Sequence, residues 1–236
     1  MSKLKLKIIE QTFCHCEYSN NPMPPVSFSD RVEWDRNVSD NEDVVFYTDK
    51  DIMRGNKSGH RKKIAWLIEP YVKQPERYNF IYYPFGGCWI EPENRKFHGK
   101  TKIISIIASG KRNVPDHLKR HELIQRWGDV IDVMGRGYNP IDSITDGLKD
   151  YAFHIAMENQ RRDLHFSEKL INPIMTGTIP IYWGNSNSNI KEYFNMNGVI
   201  LFDNMDELEQ IINHTVSKED YEKRAVAMEE NFNLAK

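Results

Sequence analysis

The sequence predicts an α/β protein built on parallel sheet, and three observations carry that prediction. β-branched runs of strand length recur along the chain. From residue 102 onward they alternate with segments of helical spacing. The bulk composition is that of an ordinary globular protein. The 236 residues suit one large domain or two small ones, and a chain of this size can bury a core without disulfide or metal staples. Hydrophobic residues at 39% against charged residues at 28% exclude wholesale disorder. The 32 Lys and Arg are balanced by 34 Asp and Glu, so the chain lacks the overall basic footprint of a nucleic-acid binder. No apolar run approaches the roughly 20 residues of a membrane helix. The first residues (MSKLKLKIIEQ) are positively charged but no apolar region follows, which argues against a secretory signal. Three cysteines, Cys14, Cys16 and Cys88, make no disulfide framework and fit a reducing compartment.

Taken in order, residues 4–9, 44–47 (VVFY) and 64–68 (IAWLI) read as strands of a first unit. Residues 20–29, with Pro22, Pro24 and Pro25, read as a surface loop. Residues 69–93, rich in Pro and Tyr and holding Gly86-Gly87, read as the irregular end of that unit, with a hinge over 93–101. Residues 102–108 (KIISIIA) form the clearest central strand, apolar on both faces. In residues 116–127 the helical spacing lets Leu118, Leu123, Ile124 and Trp127 share one face. Strands at 130–134 and 153–157, a helix at 167–176, a strand at 178–183, a short helix at 190–194, a strand at 199–202 and a helix at 205–214 follow. One last helix runs from Ser217 to the end, and because NFNLAK stops inside a helical pattern the sequence reads as a piece of a longer protein.

The stretch from Tyr151 to Gly184 carries the chemistry. A strand ends at Met157 and delivers Glu158 and Asn159 at its carboxyl end, where ligands bind in open α/β sheets. Arg161, Arg162 and Asp163 lie on the polar loop that follows. Ser167 then stands where an N-cap belongs, with Glu168 and Lys169 in the first turn. A helix start suits an anion. Lys169 opposes the helix dipole, a conflict that a bound anion resolves. Glu168 can accept hydrogen bonds from sugar hydroxyls. The plainer alternative is a solvated first turn.

These residues resemble the donor-binding signature of the family 10 glycosyltransferases, the α1,3/α1,4-fucosyltransferases, and are most similar to its compact bacterial and viral members. The matching pieces are Met157-Glu158-Asn159, His165-Phe166-Ser167-Glu168-Lys169-Leu170 and the strand TIPIYWG over 178–184. The segments EYFN at 192–195 and VILF at 199–202 also fit, so the resemblance covers about half the chain. It implies a GT-B-like fold of two Rossmann-like units, with a reduced acceptor-side unit over 1–98 and a nucleotide-sugar donor unit over 99–236. It implies GDP-fucose as donor, a glycan as acceptor and inversion at the anomeric carbon. Position by position, it assigns the ribose hydroxyls to Glu168 and the diphosphate to Lys169. It places His165 where the family has Tyr, and Ser167 where it has Thr. It also assigns Ser109, at the end of the 102–108 strand, and Arg120, on the next helix, to the diphosphate, which an arginine fork can hold through two oxygens. Lys111, Arg112, Lys119 and Arg126 are neighbouring alternatives, and a basic solvated helix face is the plain reading. Gly135-Arg136-Gly137 reads equally as a ligand-approach turn or a simple strand end.

An inverting transferase needs a general base on its acceptor side. By the resemblance an acidic segment is expected between Tyr78 and Tyr82, and this chain runs almost directly from ERYNF into IYYPFGGCW. Glu69, after IAWLI, is the leading candidate, with Glu91 and Asp49 behind it, and an ordinary surface carboxylate is the alternative for each. Cys14-His15-Cys16 lacks the further ligands of a metal site. His117 and His121 lie four apart on a helix without the HExxH pattern and read as surface residues. Asp49-Lys50-Asp51 reads as a turn. No essential metal or other cofactor is expected, with Arg120 and Lys169 stabilising the leaving GDP instead. The expected protein is therefore a hexosyl-type glycosyltransferase, soluble and cytoplasmic (in the host cytoplasm if viral), without nucleic-acid partners or an integral membrane segment. The alternatives are a related transferase using another nucleotide sugar, and a nucleotide- or carbohydrate-binding module without catalysis, which the missing acidic segment favours.

Overall fold

Parallel pairing organises both halves of the molecule. The computed structural model describes residues 4–9, 32–35, 44–48, 51–56, 59, 62–67, 81–84, 87–162, 164–184 and 189–236. The chain divides into two compact units, Met1–Phe85 and Gly86–Lys236.

In the first unit, β1 (Leu4–Ile9), β2 (Val32–Asp35), β3 (Val44–Thr48), β4 (Lys63–Leu67) and β5 (Ile81–Pro84) form one parallel sheet in the order β2-β1-β3-β4-β5, with α1 (Asp51–Asn56) between β3 and β4. Val45 and Tyr47, two apart on β3 and so on one face, are buried, as is Ile52 of α1. Gly55 lies so close to the Tyr47 ring that a Cβ there would stand 2.6 Å from it. Two strands depart from the sequence expectation: β2 is a strand of only four residues, with Val, Glu, Trp and Asp alternating, and β5 lies inside the Pro- and Tyr-rich stretch expected to be irregular. Pro84 ends β5 at the sheet's edge, where a missing N–H is tolerated.

The second unit repeats the winding. Its elements are β6 (Lys102–Ile107), α2 (Pro115–Trp127), β7 (Asp132–Met134), β8 (Tyr151–Met157), α3 (Glu168–Ile174), β9 (Ile179–Trp183), α4 (Ile190–Tyr193), β10 (Ile200–Leu201), α5 (Met205–His214), α6 (Lys218–Lys223) and α7 (Ala225–Leu234). All pairs are parallel, in the order β10-β9-β8-β6-β7. Counted from its own first strand, this is the doubly wound order of the first unit, 2-1-3-4-5. The expected α/β architecture of two Rossmann-like units is thus the one observed.

Three expectations are corrected. The centre of the second sheet is β8, buried along all seven residues, while β6 is exposed at its first two. The buried face of α2 is His117, Arg120 and Leu123; Leu118 is 51% exposed, and His117 is not a surface residue. The single last helix is two, broken at Arg224, whose guanidinium bonds Asp220 and the Asn197 carbonyl. Beyond the break, α7 docks through Met228, Phe232 and the buried Asn231, whose amide exchanges two hydrogen bonds with the Asn195 backbone.

Residues 87–98 also fall in the second unit, so the boundary lies at 85/86, ahead of the expected 98. Long-range contacts hold them there. Ile90 enters the second core, the Trp89 N–H donates to Asn172 Oδ1 at 2.8 Å, and Glu91 accepts from Ser143 Oγ at 2.9 Å and Thr145 Oγ1 at 2.8 Å. Glu91 is accordingly an anchor for the 3-10 turn at 144–147 and not a poised base. Its own backbone N–H and these two hydroxyls hold its carboxyl down from 4.5 to about 2. A lowered carboxylate contributes stability that is present above its ordinary value and lost as pH falls toward the folded one. Acid titration of the urea midpoint should therefore show a decline between pH 4.5 and about 2, and Glu91→Gln should flatten that part of the curve. An unchanged slope would exclude the anchor role.

Candidate functional site

The second sheet reverses its winding between β6 and β8. From β6 the chain passes through α2 to β7 on one side, then returns to β8 and proceeds outward through β9 to β10 on the other. At such a reversal the connections leave in opposite directions and open a crevice beyond the strands' carboxyl ends. The expected donor-binding residues all lie around that end. Ser109 follows β6, Glu158 and Asn159 follow β8, His165 and Ser167 lead into α3, Glu168 and Lys169 begin it, and Arg120 comes from the helix between β6 and β7.

Glu158 is the organising group. It is buried, and its Oε1 accepts from Ser167 Oγ at 2.6 Å, the Ser167 N–H at 3.0 Å and Tyr182 Oη at 2.7 Å. Its Oε2 lies 3.5 Å from Lys169 Nζ. Burial alone would raise its pKa, but Lys169, His165 and the bonds from Ser167 and Tyr182 outweigh burial and hold it below the usual carboxylate range. Its carboxylate is thus engaged by the protein on both oxygens, which makes Glu158 a positioning group. Ser167 caps α3 through the Lys169 N–H at 3.3 Å while donating to Glu158, so one hydroxyl links the helix start to the strand end.

Lys169 Nζ lies 2.8 Å from Glu168 Oε1 and 3.4 Å from Ser167 Oγ. Burial pulls its pKa down, the two carboxylates more than restore it, and the ammonium is firmly charged. The dipole conflict expected at this position is met by Glu158 and Glu168, and since α3 is only seven residues long the side-chain charges outweigh the helix end. Lys169 is 27% exposed, so one side remains open to a ligand. Arg120 is buried, and its Nη2 donates to the Met157 carbonyl at 2.9 Å and reaches Asn159 Oδ1 at 3.5 Å, so α2 is tied across the reversal to β8. Arg120, Glu168 and Lys169 line one cavity of about 160 Å³ with Trp89, His154 and Asn172, all within the second unit.

The remaining expectations are met unevenly. Ser109 is half-buried beside the glycine turn. Gly135 and Gly137 have φ of 106° and 101°, and a Cβ on Gly135 would stand 2.2 Å from the Ala108 carbonyl, so the turn exists to let β6 and β7 close on each other. His165 is buried, and its Nδ1 has no hydrogen-bond partner among the described residues. Asn159 is exposed. Of the alternative cations, Lys119 pairs with Asp116 at 3.3 Å and lies 4.7 Å from the Trp183 ring, Arg126 pairs with Glu122, and Lys111 offers its carbonyl to His121 Nε2. Arg161 pairs with Asp203 and lies 4.7 Å from the same Trp183 ring. Glu69, Asp49 and the Cys14-His15-Cys16 cluster lie outside the described residues. Sequence reasoning passed over Trp89, His154, Asn172 and Tyr182. The usable signal was a histidine in an otherwise apolar strand, since a buried polar group needs a reason to be there.

Comparison with known proteins adds a family and a fold. The profile described as glycosyltransferase family 10 (fucosyltransferase) C-term matches residues 97–224. No curated protein matches the sequence. Among solved structures, an α1,3-fucosyltransferase with GDP is similar at 17% identity and a TM-score of 0.56, over 98% of this chain and 82% of that one. A second α1,3-fucosyltransferase structure scores 0.53 and one with GDP-fucose 0.52, at the same identity and coverage. At this identity the likeness is one of fold.

Proposed function

The chain belongs to glycosyltransferase family 10, and on that premise we propose that it is an inverting transferase carrying fucose from GDP-fucose to a glycan acceptor. The observation that carries this reading is the pair of cations, Arg120 and Lys169, on one cavity at the winding reversal. A nucleotide sugar presents its diphosphate as the obligatory charged group. An arginine fork and a lysine point charge from two different helices match its oxygens. The second unit is then the donor unit, with Glu168 exchanging its contact with Lys169 for the ribose hydroxyls, and Asn159, Ser109, Ser167 and His165 bordering the nucleotide. Structures of fucosyltransferases with GDP and with GDP-fucose share this fold, which supports the choice of donor.

In the reaction an acceptor hydroxyl attacks the anomeric carbon from the face opposite the leaving group. The new C–O bond forms as the bond to the β-phosphate oxygen breaks, the hydroxyl proton passes to a carboxylate, and GDP departs. The charge that develops on GDP meets Lys169 and Arg120 already in place, which spares solvent reorganisation at that moment. Glu69 on the first unit is the proposed base, and the two cations supply the electrostatic role without an essential metal.

Calorimetric titration tests the donor: GDP should bind, with UDP and CDP weaker. Transfer or hydrolysis of GDP-fucose should persist in EDTA and fall about 10²- to 10⁴-fold in Glu69→Gln, the usual worth of a general base, while GDP affinity holds. Equal binding of all three nucleotides would remove the guanosine assignment, and full activity of Glu69→Gln would remove the base. Among the described residues no helix is long and apolar enough to cross a membrane.

A further inference from the structure

The cavity beside the two cations contains a hydrogen-bond acceptor that the reading above does not use. Ser105 Oγ donates its only hydrogen to the Gly147 carbonyl at 2.8 Å. Its second contact, 2.8 Å to His154 Nδ1, therefore requires that Nδ1 carry the hydrogen and donate. The other ring nitrogen, Nε2, is left with a bare lone pair. His154 is 6% exposed, lines the cavity, and finds no partner for Nε2 among the described residues. Burial keeps the ring neutral, with its pKa lowered to about 3, so this lone pair persists at every ordinary pH.

A donor stands on the same cavity. Asn172, 4% exposed, has its Oδ1 taken by the Trp89 N–H, which fixes its orientation and leaves the Nδ2 hydrogens without a partner among the described residues. Trp89, Ile107, Ile144 and Leu148 are among the other residues of the lining. The volume, about 160 Å³, is close to the roughly 150 Å³ that encloses a single six-membered ring. Beside the charged groups of Arg120, Glu168 and Lys169, one neutral acceptor, one neutral donor and an aromatic residue among apolar walls are the features of a small-molecule site whose few polar groups set orientation. A ring hydroxyl can both donate to His154 Nε2 and accept from Asn172 Nδ2. Arg120 and Lys169 line this cavity too, so a ring joined to the diphosphate they hold is within reach.

We propose that the cavity takes a hydroxylated ring of the nucleotide-sugar donor and that His154 Nε2 accepts a hydrogen bond from one of its hydroxyls, with Asn172 donating to the same ring. This rests on the proposed donor-binding role of Arg120 and Lys169. Two rings share the required chemistry, the ribose and the transferred sugar, and the experiment separates them.

The full chain, labelled with ¹⁵N-histidine, is titrated with GDP and then with GDP-fucose, and the His154 resonances are assigned by their loss in His154→Asn. Acceptance of a hydrogen bond moves the Nε2 resonance. A shift with GDP that 2′,3′-dideoxy-GDP does not give assigns the ribose, a shift that both give assigns the base and overturns the inference, and a shift only with GDP-fucose assigns the transferred sugar. In parallel, His154→Asn keeps a side-chain N–H for Ser105 and removes the cavity acceptor. It should weaken the ligand that caused the shift about five- to tenfold, the worth of one neutral hydrogen bond. His154→Gln, whose Oε1 reaches the place of Nε2, should recover most of that loss. Should His154→Asn fail to fold, the His154 resonances are assigned by their loss in His154→Gln and the wild-type titration decides. If both ligands bind in a Lys169-dependent way and Nε2 does not move, or if His154→Asn binds both as wild type does, this inference is overturned and the proposed function stands. If the wild type binds neither ligand, both fall together.

Discussion

Glu158→Ala is expected to lower stability by about 3–5 kcal/mol, the cost of removing one member of a buried, hydrogen-bonded charge pair. The loss has three sources. Tyr182 Oη is left without its acceptor in a fully buried place, the Ser167 N–H and hydroxyl lose theirs, and Lys169 keeps only Glu168 as counterion. Glu158→Gln keeps one carbonyl oxygen for Ser167 and Tyr182 but removes the charge that faces Lys169, so its cost should fall well short of the alanine's. Urea denaturation of the full chain measures both. A loss below about 1 kcal/mol for Glu158→Ala, the level of a surface change, would show that the carboxylate does not hold the end of β8 to the start of α3.

Lys169→Met is expected to weaken GDP binding by about 1.5–3 kcal/mol, the range for a hydrogen bond to a charged group, which is roughly 10- to 150-fold in Kd. Arg120→Met should cost a similar amount of affinity. The double variant should lose less than the sum if both side chains hold the same diphosphate, since contacts to one group are not independent. Calorimetry with guanosine provides the internal control, because a ligand without phosphates should bind all three variants as it binds the wild type. Equal weakening of guanosine would show a disrupted pocket instead of a lost phosphate contact, and unchanged GDP affinity in both single variants would remove the diphosphate from this cavity. Methionine is chosen because it keeps most of the buried stem of the longer side chain.

Much of the donor side was legible in the chain because its signals are local. The run FHIAM, the cap Ser167 and the strand over 178–183 each announce themselves within a few residues, and the parallel alternation follows from them. The face of α2 was misread because apolar spacing pointed to Leu118, whereas the helix lies with Arg120 inward, satisfied by the Met157 carbonyl 37 positions away. Residues 87–98 were read with the first unit because they carry no periodicity. What holds them is a set of long-range bonds to Asn172, Ser143 and Thr145.

By itself, then, the order of apolar runs and turn residues determined the alternating parallel sheet from residue 102 onward and the position of Glu158, Ser167, Glu168 and Lys169 around one strand end. Those features depend on backbone periodicity and on neighbours a few positions away. Only the tertiary structure decided that Glu158 faces inward to hold Lys169, that Arg120 reaches across the winding reversal, and that His154, Asn172 and Trp89 meet in one cavity. Those three come from segments far apart in the sequence. Their common requirement is that buried polar groups find partners, and only packing determines which partners are close enough to serve.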